Sequence, residues 1–267
     1  MQITFAEAEF VSKKKQTRRD RLLMDLETLV PWPVLESVIE PYYPKSDGKR
    51  GRPTMGLSRM LRMYILQQVM GFSDEGTEDA VYDSAAIQLF MDIDLGRDAV
   101  PDATTLLRFR RLLETHSLTQ QIFAAVNYQL ASKGLYLKEG TVVDATIIAA
   151  PPSTKNKSKS RDPQMRSTKK GNQYYFGMKA HIGVDAASGL VHTLVTTAAN
   201  VHDVNQAHAL LHGEEQQVYG DSGYLGADKR EENKDKDVEW VVAMRHGKRR
   251  KLRDSGTEEG QLADKIE

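Results

Sequence analysis

Asp144 closes a short apolar run, Gly140-Thr141-Val142-Val143-Asp144, which continues into Ala145-Thr146-Ile147-Ile148. Asp221 closes a second run, Gln217-Val218-Tyr219-Gly220-Asp221. Between the two, Pro151 to His181 holds eight Lys or Arg residues against one acid, Asp162. Two carboxylates at strand ends with cationic sequence between them point to a metal-ion site acting on phosphodiesters. Mg²⁺ prefers hard oxygen ligands: carboxylate, water and phosphate. Cationic side chains nearby hold the nucleic-acid backbone.

Bulk composition narrows the classes. The 267 residues suffice for two domains or one large one. Formal net charge is +0, so overall charge indicates no partner, and only its distribution informs. Arg245 to Arg253 forms a second basic run. The chain has no cysteine, which excludes disulfides, thiolate zinc sites and a Cys nucleophile. It has no His-Glu-x-x-His pattern, which leaves zinc hydrolysis a weak rival despite His181, His192, His202, His208 and His212. No run of about 18 apolar residues is present, so no membrane span is expected. The N-terminus lacks an apolar signal core, and the expected location is the cytoplasm.

The elements that must position these residues change character near Leu135. Before it, the pattern reads as helical. Leu57, Met60, Leu61, Tyr64, Ile65 and Val69 follow helical spacing. Ser73, Asp102 and Ser117 read as N-caps, the last two for helices over Ala103–Glu114 and Leu118–Leu130, with Gly134 as the stop. After it, Thr141–Ile148 is rich in β-branched residues, as strands are. Phe176–Val184 and Leu190–Thr197 flank a Gly-containing turn and read as a hairpin. Val201–Leu211 reads as a helix, Gln217–Gly220 and Val238–Met244 as strands. Lys155 to Lys170 reads as a basic loop. The expected architecture is α/β, a mixed sheet preceded by an all-helical N-terminal domain, divided as 1–135 and 136–267.

Several blocks resemble one family. They are Thr141 to Asn156, Lys169 to Asp185, Thr196 to Asp203 and Tyr219 to Gly226, together with Gly51-Arg52-Pro53, Phe72-Ser73-Asp74 and Pro101 to Leu106. In this order they resemble the bacterial insertion-sequence transposases of the DDE class, in the group that includes insertion sequence five. The resemblance covers nearly the whole chain.

It implies a ribonuclease H-like fold for residues 136–267, a transposase or DNA-binding domain for 1–135, and Asp144 and Asp221 as catalytic and metal-ligating residues. It implies Mg²⁺, with Mn²⁺ as substitute, and cleavage of transposon ends followed by strand transfer into target DNA. The implied partners are DNA, at the terminal inverted repeats and the target, and no membrane, with a homodimer left open. The implied location is the bacterial cytoplasm, at the nucleoid. Lys155, Lys157, Lys169 and Lys170 are expected on DNA phosphates, as are Arg108, Arg110 and Arg111 in the helical part; an ordinary solvated face is the alternative for the arginines, a solvated linker for the loop. The family's third acid is a Glu in a block with Tyr, Arg and Lys at helical spacing. That block is not found after Met244, and Glu258, Glu259 and Glu267 lack its surroundings. The expectation is therefore a chain that stops before its last helix. A catalytically dead DNA-binding or inhibitory fragment is the alternative to an active enzyme.

Overall fold

Helix caps set the first half of the chain. In the computed structural model, which describes residues 12–45, 54–136, 139–155, 157 and 159–254, Thr17 and Asp20 form a reciprocal capping box at helix α1, Arg18–Leu29. Trp32–Ile39 forms α2 and Leu57–Met70 forms α3. Ser73 caps α4, Asp74–Asp83, by accepting from the Gly76 N–H, and Ala85–Phe90 forms α5. Asp102 caps α6, Ala103–Thr115, through the Thr105 N–H, and Leu118–Ser132 forms α7. Ser117 does not cap α7: its φ of 52° is left-handed, where a cap needs extended backbone. Among the described residues of 12–132 every assigned element is helical. Their apolar faces close over Leu35, Met60, Leu66, Ile87, Leu106 and Leu113, all at most 1% exposed.

The chain separates into two compact units, residues 1–132 and 133–267. The second is built on six strands: β1 Gly140–Ala149, β2 Arg166–Lys170, β3 Gln173–Asp185, β4 Val191–Ala198, β5 Gln217–Gly220 and β6 Glu239–Val242. Their order is β2-β3-β1-β5-β6, with β4 also on β3. The β1/β3, β3/β4 and β2/β3 pairs are antiparallel, while β1/β5 and β5/β6 are parallel. The sheet is therefore mixed, with β1 in its interior. A further helix, α8, spans His246–Asp254.

Side chains alternate across the sheet, as the strand period requires. One face carries Val143 and Val218, packed under Ala207, Leu210, Tyr224 and Ala227. The other leaves Val142, Ile148 and Leu194 exposed. The cover over the buried face is not the regular helix expected over 201–211. It consists of two 3₁₀ turns, Asp203–Asn205 and Ala207–Leu210. The expected basic loop also ends early, because Arg166–Lys170 pairs with Gln173–Gly177 as β2. Gly177 makes this junction possible. It pairs with both Ala149 and Arg166, and a Cβ there would overlap the Ile148 carbonyl oxygen.

Candidate functional site

The parallel β1/β5 ladder brings the two acids together. Val143 is opposite Gly220, so Asp144 and Asp221 follow paired residues on neighbouring strands. Both line one cavity of about 510 Å³, with Val142, Tyr219, Met244 and Arg249 among its walls. Short backbone contacts fix both carboxylates. Asp144 Oδ1 accepts from the Ala145 N–H at 2.7 Å. Asp221 Oδ1 accepts from the Gly223 N–H at 2.9 Å, which caps the 3₁₀ turn Ser222–Tyr224. The second oxygen of each has no hydrogen bond among the described residues.

Behind this pair lies a layer the sequence reading did not assign. Tyr224 is 1% exposed, and its hydroxyl finds no hydrogen-bond partner among the described residues. Burial pushes its phenol well above the ordinary tyrosine range, and the charges of Asp203, Asp144 and Asp221 add to the shift. Asp203 is held by Lys179, whose Nζ lies 2.8 Å from Asp203 Oδ1 and 2.9 Å from the Val201 carbonyl. His181 is fully buried between the same groups, its Nε2 2.8 Å from Thr197 Oγ1 and its Nδ1 3.8 Å from Asp203 Oδ1. Burial lowers its pKa. Asp203 opposes that shift and Lys179 adds to it, leaving the imidazole neutral at pH 7. Asp203 and Tyr224 sit in blocks visible in the sequence. The placement of Asp203 rests on Lys179, a contact across 24 residues of chain that no local pattern announces.

A second histidine cluster lies apart from the acids. His192 Nε2 is 3.2 Å from Thr141 Oγ1, and its ring centroid is 5.0 Å from that of His212. Glu215 accepts from the backbone N–H groups of His212 and Gly213. Among the described residues no three His, Cys, Asp or Glu side chains converge in a geometry that would hold a metal ion.

The cationic residues divide. Lys155, Lys157, Lys169 and Lys170 are all exposed. Lys169 Nζ lies 5.5 Å over the Tyr174 ring, and the Arg161 guanidinium lies 5.3 Å over Phe176. On α6, Arg108 and Arg111 are exposed. Arg110 is committed elsewhere, contrary to the expectation of a phosphate contact: its Nη2 meets both Asp74 oxygens at 2.9 and 2.7 Å. Hydrogen bonds from Gln67, then Arg110, hold the Asp74 carboxyl below the ordinary range. This fork ties α3, α4 and α6 together. Gly51-Arg52-Pro53, Asn156, Glu258, Glu259 and Glu267 lie outside the described residues.

Comparison with known proteins gives two family matches. Residues 136–265 match the family described as Transposase DDE domain. Residues 10–112 match the family described as Transposase domain (DUF772). Among solved structures the chain is similar to the piggyBac transposase, determined by cryo-EM as a synaptic complex with hairpin DNA. That similarity has a TM-score of 0.39 and 12% identity over 92% of this chain. The chain spans 57% of the length of that piggyBac chain.

Proposed function

The chain carries two transposase domains, one of them of the DDE class, and on that premise we propose that it is an insertion-sequence DNA transposase of the insertion-sequence-five type. It cleaves the ends of its element and joins the freed 3′-hydroxyls to target DNA, in the bacterial cytoplasm at the nucleoid. The observation that carries the reading is the register Val143 opposite Gly220, which puts Asp144 and Asp221 in one cavity. A sheet with antiparallel hairpins on one side of β1 and parallel strands on the other supports a ribonuclease H-like fold for residues 136–267.

The donor set suits Mg²⁺, with Mn²⁺ as substitute. That ion is commonly held by one or two carboxylates plus water and substrate phosphate, and hard oxygens are what Asp144 and Asp221 offer. When bound, a divalent ion supplies Lewis acidity at the scissile phosphate. The chain's own residues do the rest. The N–H groups of Ala145 and Gly223 keep the two carboxylates in place. Tyr224 and the Asp203–Lys179 pair fill the space behind, so the acids rest on fixed ground. Lys155, Lys157, Lys169 and Lys170 neutralise substrate phosphates, with Arg108 and Arg111 doing so in the helical unit. In the first step a water oxygen forms a bond to phosphorus and the 3′-oxygen leaves as a hydroxyl. In the second that hydroxyl attacks a target phosphate and displaces the target's own 3′-oxygen.

The test has a binding and a chemical arm. Titration with Mn²⁺, followed by its paramagnetic resonance, should show uptake that Asp144→Asn and Asp221→Asn each weaken by at least tenfold. A duplex carrying the element's ends should be nicked with Mg²⁺, and either substitution should abolish the nicks. Uptake of Mn²⁺ that ignores both substitutions would overturn the site assignment. Duplex binding without nicks would leave DNA binding as the function.

A further inference from the structure

The strand β3 runs past the body of the sheet. Its pairing with β1 begins at Gly177 and with β4 at Met178. From Gln173 to Phe176 its ladder partner is β2. The result is a projecting two-stranded ribbon closed by a two-residue turn, Gly171-Asn172, between the paired Lys170 and Gln173. Gly171 has φ 61°, the positive φ that the first turn residue of such a hairpin needs.

Its surface chemistry is one-sided. The ribbon carries Arg166, Lys169 and Lys170, and no acid occurs from residue 163 to 184. Tyr174 is 73% exposed, which a core-packing role does not explain. Lys169 and Tyr174 are directly opposed across the ribbon and therefore share a face. Stepping along β3 by twos from Tyr174 reaches Phe176, Met178, Ala180 and Ile182, and Ile182 is opposite Asp144. No register shift interrupts this stretch; the one in β3 lies at Gly183/Val184. Lys169, Tyr174 and Asp144 thus stand on one face of one sheet. Eight residues of strand separate the Tyr174 and Ile182 positions, about 27 Å at about 3.4 Å per residue. That is the rise of about eight base pairs of duplex DNA at about 3.4 Å each.

Resting on the transposase reading, we propose that the β2–β3 ribbon enters the major groove of duplex DNA about eight base pairs from the phosphate held at Asp144. Two strands about 4.8 Å apart fit a groove about 12 Å wide. Lys169 and Lys170 reach the flanking phosphates with their long side chains, and Asn172 at the turn and Tyr174 on the Asp144 face meet base edges. The first pair gives affinity without sequence preference, and the second group gives the preference.

The absence of native cysteine makes the test direct. Iron–EDTA is attached to the full chain through Asn172→Cys or, separately, through Thr146→Cys, two residues from Asp144 on the same face. The probe is a 40-base-pair duplex bearing the terminal sequence of the DNA element that encodes the chain. The two tethers should cleave patches separated by about eight base pairs. Separately, Lys169→Ala with Lys170→Ala should lower the salt slope of binding by about two units. Tyr174→Ala should weaken binding about tenfold with the slope unchanged. Cleavage from Asn172→Cys no stronger than from free reagent, or centred on the same base pairs as from Thr146→Cys, would overturn the ribbon assignment. So would equal affinity for an RNA duplex of the same sequence, whose deep, narrow major groove excludes a ribbon. Failure of the unlabelled chain to bind any duplex would instead remove the transposase reading, and the ribbon's role with it.

Discussion

A fully buried histidine ties the stability of the second unit to pH. His181 is neutral when folded, because burial holds its pKa below the ordinary 6.5. In the unfolded chain it titrates near that ordinary value. Below about pH 6.5 the unfolded state therefore binds the extra proton and gains on the folded one. His192, lowered first by burial and then by His212, acts in the same direction. Stability should be full well above pH 6.5 and fall as the pH drops through 6 to 5, ahead of the more acidic window in which Asp20, Asp74 and Asp98 of the first unit, their carboxyls held below the ordinary 3.8, take up protons. Urea unfolding at pH 7.5, 6 and 5 measures it. His181→Asn should flatten the slope between pH 6.5 and 5, and an unchanged slope would assign the effect elsewhere. The two acids at the cavity were legible as residues because each ends an apolar run. The support beneath them was not, since Lys179, Asp203 and Tyr224 meet only through the tertiary fold.

At the level of elements, capping chemistry and periodicity carried the sequence reading where they were strong. Ser73 and Asp102 start their helices as read, and Asp185 to Leu190 turns the hairpin between β3 and β4. The reading failed where the signal was weak for a physical reason. Arg166–Lys170 is polar on both faces because it pairs with one strand and covers no core, so it lacks the alternation that marks a strand. Val201–Leu211 has helical composition but breaks into two 3₁₀ turns where it covers the buried face of the sheet. Arg110 read as a surface cation, yet its guanidinium braces three helices. The junction at Gly177 yields an element-scale prediction. Gly177→Ala forces a methyl group against the Ile148 carbonyl oxygen and should cost about 2–3 kcal/mol. Urea unfolding reads the cost. A loss below about 0.5 kcal/mol would show that β1 and β3 can separate there without penalty.

Over the whole molecule, the formal charge of +0 means that the proposed binding to DNA would draw on local concentrations of cations and not on a general field. The two units each hold a separate buried cluster, one around Leu35, Met60 and Leu106, the other around Val143, Val218 and Tyr224. A unit with its own core can fold by itself. Residues 1–132 expressed alone should therefore give a helical circular dichroism spectrum and a cooperative thermal transition. A non-cooperative melt would show that this unit takes stability from the other. The parallel register of β1 and β5 has a separate consequence for descent. A hydrogen-bonded ladder sets the spacing of Asp144 and Asp221, and the length of chain running between them does not. Segments inserted into that stretch are invisible to the acids as long as both strand ends still meet. A lineage can therefore gain, lose or exchange a projecting arm such as β2 while the two acids stay in register; on the proposed reading, preference for new DNA sequences would then evolve separately from the reaction itself.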